Sequence, residues 1–139
     1  MHSVQSRVVS ETVDVPADVA YEFARTVENL PLWASGLAAG LEQVDGEWFA
    51  ASPMGRVKIE MVARNAFRVL DHDVTLPDGT VGHNAFRVTP VGEGSLLTFV
   101  VLRSPGAGDD AFDKDAMLVA NDLRRLKTLL ETRRANAGS

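Results

Sequence analysis

The chain has 139 residues, 45% hydrophobic and 24% charged, enough to bury one core without metals or cross-links, and this composition excludes a largely disordered or collagen-like protein. The 14 Lys and Arg against 19 Asp and Glu leave a net charge of −5, so a nucleic-acid backbone meets repulsion and nucleic acid is not an expected partner. There is no cysteine, which removes disulfides, thiolate metal sites and Cys nucleophiles together and fits a reducing compartment.

The N-terminal Met1 to Ser6 has neither the basic flank nor the apolar run of a leader, and no stretch reaches the ~18 apolar residues of a membrane span. A single domain over residues 1–139 is expected, without membrane insertion and with the cytoplasm as default location.

Val8 to Val15 is rich in β-branched residues and stops at Pro16, which cannot continue a strand but suits the first turn of a helix. Val19, Phe23 and Val27 recur every four residues, predicting a short helix, and a second helical piece is predicted over Asn29 to Ser35 around Leu30, Leu32 and Trp33. From Leu41 the punctuation changes. Asp45-Gly46, Pro53-Met54-Gly55, Pro77-Asp78-Gly79 and Gly92-Glu93-Gly94 separate runs of Val, Ile, Phe and Thr, the pattern of antiparallel strands joined by tight turns. Strands are predicted at 41–45, 47–52, 56–63, 68–76, 80–90 and 95–103.

After a break at Ser104 to Gly108, Phe112, Ala116, Val119, Leu123, Leu126 and Leu130 alternate spacings of four and three, predicting a long amphipathic helix. Asp109, Asp110, Asp113 and Asp115 crowd its start, and Arg124, Arg125, Lys127, Arg133 and Arg134 its end, as the helix dipole favours. The tail from Ala135 to Ser139 is expected to fray.

Thr12 to Tyr21 forms a strand-to-helix junction, and Asn29-Leu30-Pro31-Leu32-Trp33-Ala34 follows it. Together with the element order of strand, two short helices, six strands and long helix, these segments resemble the START-like (SRPBCC) superfamily, which includes polyketide cyclases and dehydrases, pathogenesis-related plant proteins and lipid-transfer domains. Leu70-Asp71-His72-Asp73-Val74 and Asp122 to Lys127 look like one small bacterial subgroup of it. The resemblance implies an α+β helix-grip fold, a curved antiparallel sheet of about seven strands (β-α-α-β6-α) around the long C-terminal helix. It also implies a cavity between them for a largely apolar small molecule.

Turn chemistry gives a register independently. Leu76-Pro77-Asp78-Gly79-Thr80 suits a three-residue loop with Gly79 left-handed, so Val74 opposes Gly82, His72 opposes Asn84 and Leu70 opposes Phe86. Alternation places these on one face, the apolar one, and sends Asp71, Asp73, His83 and Arg87 to the other. No metal site is expected there, because carboxylates on either side of a strand histidine point away from it. Arg56, Lys58 and Glu60 form an outward charged row, whereas the phase of residues 7–14, and with it the direction of Glu11, is open.

His72 and Asn84 are the candidate catalytic pair: an imidazole near neutrality can move protons, with Asn84 fixing its tautomer or donating to a carbonyl. The commoner role of such a pair is a satisfied structural hydrogen bond. Trp33, Trp48, Met61, Phe86, Phe99, Ala116, Met117 and Ala120 are the candidate ligand-binding residues, with the small Ala116 and Ala120 placing the opening near the start of the long helix. No nucleophile elbow, zinc motif or phosphate-binding Gly loop is present, and no metal or cofactor is expected.

Two uses of the cavity stay open. One is cofactor-free acid-base chemistry of the polyketide cyclase, aromatase or dehydratase kind. The other is non-catalytic carriage or sensing of a lipid, polyketide or quinone-like metabolite. Leu96, Val100 and Leu102, read as outward-facing, offer a strip for a homodimer.

Overall fold

The computed structural model describes residues 4–137; residues 1–3, part of the segment read for a leader, and residues 138–139, the end of the tail expected to fray, lie outside the described residues. The chain begins with β1 (Ser6–Val13) and turns at Pro16 into α1 (Ala17–Arg25). Single 3₁₀ turns at Val27–Asn29 and Ser35–Leu37 flank the one-turn α2 (Leu30–Trp33). Six strands follow: β2 (Leu41–Val44), β3 (Glu47–Ser52), β4 (Gly55–Met61), β5 (His72–Thr75), β6 (Val81–Val91) and β7 (Gly94–Leu102). The final helix, α3 (Asp109–Ala137), is 29 residues long and stays helical through part of the tail expected to fray.

All seven strands form one antiparallel sheet in the order β1-β7-β6-β5-β4-β3-β2. Hairpins link every sequential pair from β2 to β7, whereas β1 reaches β7 across the whole chain. The burial of β1 settles its phase: Val9, Glu11 and Val13 face inward, and Val8, Ser10 and Thr12 face out. Because β1 is an edge, its free backbone groups need partners other than a strand. Helix α3 supplies them, with Lys127 Nζ donating to the Thr12 carbonyl (2.8 Å) and Glu131 accepting from the Asp14 N–H (2.9 Å).

Helix α3 packs on β1, β7 and α2, and α1 packs on β6 and β7. The expected spacing is borne out: Phe112, Leu123, Leu126 and Leu130 are buried against the sheet with Leu70, Phe86 and Leu97. Fully burying a side chain of this size contributes about 1.5–3 kcal/mol.

One expected strand is shorter than its sequence suggests. Of residues 68–76 only His72–Thr75 is strand, preceded by an isolated bridge between Val69 and Arg87. The Asn65 side chain accepts from the Phe67 and Val69 N–H groups and donates to the Ala63 and Val69 carbonyls, closing a turn that leaves Arg68 at φ 57°. A side chain that satisfies the backbone locally competes with the ladder. This turn is fastened to α1 by the Tyr21 hydroxyl, which accepts from the Asn65 N–H (3.0 Å), and by Arg68 on Asp18 (2.7 Å).

Candidate functional site

The hairpin of β5 and β6 carries the polar centre of the concave face. Its turn forms as the residue types demand: Gly79 sits at φ 90°, the Leu76 N–H donates to the Thr80 carbonyl (2.8 Å), and Asp78 accepts from the Thr80 N–H (2.9 Å). The resulting register pairs His72 with Asn84 and Val74 with Gly82, as the turn chemistry implies. Met61 of β4 lies opposite His72 on its other side. Met61, His72 and Asn84 therefore form one row across three strands.

His72 is largely enclosed, its ring edge-on to Phe99 with centroids 5.9 Å apart. Its Nδ1 lies 3.0 Å from the Leu70 carbonyl oxygen. A carbonyl only accepts, so Nδ1 carries the hydrogen and the neutral ring keeps its lone pair at Nε2. Burial pushes the His72 pKa below its usual 6.5, the Leu70 hydrogen bond and the Asp71 charge opposing this only in part. His72 is thus a neutral imidazole with its basic nitrogen unpaired among the described residues.

Asn84 makes no hydrogen bond to that ring. Its Nδ2 donates to the His72 and Gly82 carbonyls at 3.5 and 3.4 Å, so the tautomer expected to be set by Asn84 is set by Leu70. On the convex face, His83 meets Asp73 (Nδ1 to Oδ1, 2.6 Å), and Asp71 takes Arg87 (3.0 Å) and the Phe86 N–H (2.9 Å). Burial would raise the Asp71 pKa, but Arg87 and the Phe86 N–H together hold it below the ordinary 3.8. Asp71, Asp73 and Arg87 point away from the concave side, His83 also reaches the recess at the start of α3, and no His, Asp or Glu cluster among the described residues could hold a metal.

The candidate ligand-binding residues do not share one site. Trp33 and Phe99 each meet the Phe86 ring at a tilt, with centroids 5.8 and 5.4 Å apart, and the three fill the centre of the interior. Asn84 and Phe99, but not His72, line a recess of about 510 Å³ beside the start of α3, together with Val101, Leu118 and Val119 and the polar His83, Arg103 and Asp115. Trp48 and Met61 line another, about 390 Å³, with Ile59 and the charged Arg25, Lys58 and Glu60. Ala116 and Ala120 are half-buried on α3, one turn apart. His72 stands between the two recesses, with Met61 on one side and Asn84 on the other.

Met117 corrects an expectation. It is 63% exposed, because the buried stripe of α3 runs through Phe112, Val119 and Leu123 and a residue five after Phe112 lies well off that face. Sequence reasoning also missed Asp122 and Arg125, which fasten α2 to α3: Asp122 accepts from the Ser35 N–H (3.1 Å) and Arg125 donates to the Trp33 carbonyl (3.2 Å). Both partners are backbone atoms, which no side-chain pattern reveals. The Trp33 Nε1 is fully enclosed with no hydrogen-bond partner among the described residues. A larger hollow of about 850 Å³ between α1 and the end of α3, around Val19, Phe23 and Leu130, holds none of the candidate residues. No described helix is long and apolar enough to cross a membrane.

The family model described as "Polyketide cyclase / dehydrase and lipid transport" matches residues 1–131. No curated protein matches the chain. Among solved structures, XoxI of Bacillus cereus superposes with a TM-score of 0.71 at 13% identity, covering 90% of this chain and 94% of XoxI. CalU16 of Micromonospora echinospora gives 0.65 at 12% identity, covering 91% of this chain and 74% of CalU16. The di-domain ARO/CYC BexL of the BE-7585A biosynthetic pathway gives 0.64 at 17% identity, covering 89% of this chain and 45% of BexL. At these identities the structures share the fold, an antiparallel sheet closed on a long C-terminal helix. The match over residues 1–131 goes further: the chain belongs to the polyketide cyclase / dehydrase and lipid transport family.

Proposed function

We propose that the protein binds an uncharged, largely apolar small molecule in the recess beside the start of α3, with Asn84 in its wall and His72 paired to Asn84 on the next strand. The observation carrying this reading is the polar row on the concave face: a neutral imidazole whose Nε2 is unpaired, adjoining Asn84 and Phe99 in the recess wall. Apolar walls with a few placed polar groups are what small-molecule sites are made of. The recess by Trp48 and Met61 is the lesser candidate, since Arg25, Lys58, Glu60 and Arg64 crowd it. Titrating the protein with naphthalene-sized apolar compounds while recording tryptophan fluorescence and thermal stability tests this. Saturable binding lost in Val119→Trp, which fills the recess, is expected; binding unchanged by that replacement would refute the location.

A second reading, acid-base catalysis of the cyclase or dehydratase kind, is favoured by the same histidine. A neutral imidazole can take a proton from bound substrate through Nε2 without first losing one. His72→Gln separates the readings. Turnover of a polyketide-type substrate lost while its binding persists supports catalysis, and turnover kept at the wild-type rate leaves His72 as a binding group.

A further inference from the structure

Helix α1 has an apolar side that the fold covers only in part. Phe23 is buried, but Val19, one turn earlier on the same side, is 53% exposed. Both line the hollow of about 850 Å³ between α1 and the end of α3, together with the buried Val15 and Leu130. This volume falls within the roughly 300–1,000 Å³ of small-molecule sites, and the hollow shares no residue with the recess at the start of α3. Its polar side chains are nearly all spent. The Thr26 hydroxyl donates to the Glu22 carbonyl (2.7 Å) and the Asn29 amide to the Phe23 carbonyl (3.1 Å). Asp18 takes Arg68 (2.7 Å), Glu22 takes Arg64 and Arg25, and Arg134 holds both the carbonyl and the carboxylate of Asp14. Arg133 is the exception: its guanidinium lies 4.8 Å over the Phe23 ring and has no carboxylate partner among the described residues. A guanidinium stacked on a ring keeps its in-plane N–H donors free.

We infer that this hollow is a second binding site, for a free single-chain monocarboxylate whose apolar chain lies on Val19, Phe23 and Leu130 and whose carboxylate meets Arg133. The planar fork of a guanidinium fits a carboxylate through two parallel hydrogen bonds. A cationic head would find Asp18 and Glu22 already paired and Arg133 repelling it. A doubly charged head would set two negative charges against one free cation, beside the carboxylates of Asp18 and Glu22 and on a chain of net charge −5. The same net charge works against an anionic bilayer as the source, so the occupant is the free acid anion. This site stands independently of the recess beside Asn84.

The test titrates the full chain with decanoate and with decyltrimethylammonium, both below micelle formation, by calorimetry and by methyl NMR. Wild type is expected to bind decanoate more tightly than the cationic probe, with shifts at the Val19 and Leu130 methyl groups. Arg133→Gln is expected to weaken decanoate about two- to fivefold, the scale of an exposed ion pair, without weakening the cationic probe. Val19→Asp, at a position exposed enough to leave the fold intact, is expected to abolish decanoate binding, with circular dichroism as the check. Val119→Trp, in the other recess, is expected to leave it unchanged. No saturable binding of decanoate by wild type, or equal affinity for the two probes, would overturn the inference whatever the variants do. Shifts confined to Leu118 and Val119, with binding lost in Val119→Trp, would overturn it too, by moving decanoate to the recess at the start of α3.

Discussion

The Nδ1 of His72 lies 3.0 Å from the carbonyl oxygen of Leu70, two residues back on the same chain, and burial holds this imidazole neutral. Its folded pKa is below the usual 6.5, so the unfolded chain binds the proton more readily. Stability from this group is complete above about pH 6.5 and falls as pH drops toward the folded pKa. Asp71 and Asp73 act on His72 to favour the charged form, and His83 acts against it. Urea denaturation between about pH 7.5 and 5 is expected to show stability declining with acid, the decline shrinking in His72→Gln and persisting in the exposed-site control His83→Gln.

The hold of α3 on α2 makes a second prediction. Asp122→Ala removes the acceptor for the Ser35 N–H and is expected to cost about 0.5–1.5 kcal/mol. The loss is expected to be local, with faster hydrogen exchange at residues 33–38 and little change in the β6 and β7 amides. Uniform acceleration across the chain would show that the contact supports the whole fold instead.

Two glycines give a matched contrast. A Cβ at Gly94 would stand 2.8 Å from the Val13 carbonyl oxygen, a backbone atom held in the β1–β7 ladder, whereas a Cβ at Gly82 would come no closer than 3.9 Å to anything. Gly94→Ala is expected to destabilise by about 1–3 kcal/mol and Gly82→Ala to be neutral or better, since strand glycines cost conformational entropy. Thermal melts of both variants check the ordering.

On α3 the buried and exposed sides separate cleanly. Leu126→Ala, at a fully buried position, is expected to cost about 2–5 kcal/mol. Met117→Ala, at a 63% exposed one, is expected to stay within about 0.5 kcal/mol. If Met117→Ala lowered both stability and ligand affinity, α3 would have to be rotated relative to the sheet.

Much of this was legible because periodicity and turn chemistry are local. Pro77-Asp78-Gly79 fixed the pairing of His72 with Asn84, and the 3–4 spacing fixed the buried side of α3. The limit of local reading shows in one pentapeptide that occurs twice, Asn65-Ala66-Phe67-Arg68-Val69 and Asn84-Ala85-Phe86-Arg87-Val88. The second copy is strand, with Phe86 1% exposed; the first is a turn braced by its own asparagine, with Phe67 81% exposed. Only the neighbours differ: β7 waits beside the second copy, and α1 seizes the first through Tyr21 and Asp18. The same reasoning covers the tautomer of His72, which is set by the Leu70 carbonyl and not by Asn84. Backbone partners of this kind are not displayed by the sequence.

The three-residue turn of the β5–β6 hairpin decides more than a connection. Side chains of a strand alternate, so a single residue added to that turn with the pairing otherwise kept would carry His83 toward the interior and Asn84 toward solvent. His83 already stands against Asp73 at 2.6 Å on the convex side. The pair His72 with Asn84 and the pair His83 with Asp73 are thus stored back to back on one hairpin, one insertion apart, and relatives with different turn lengths have a short mutational route to different interior chemistry.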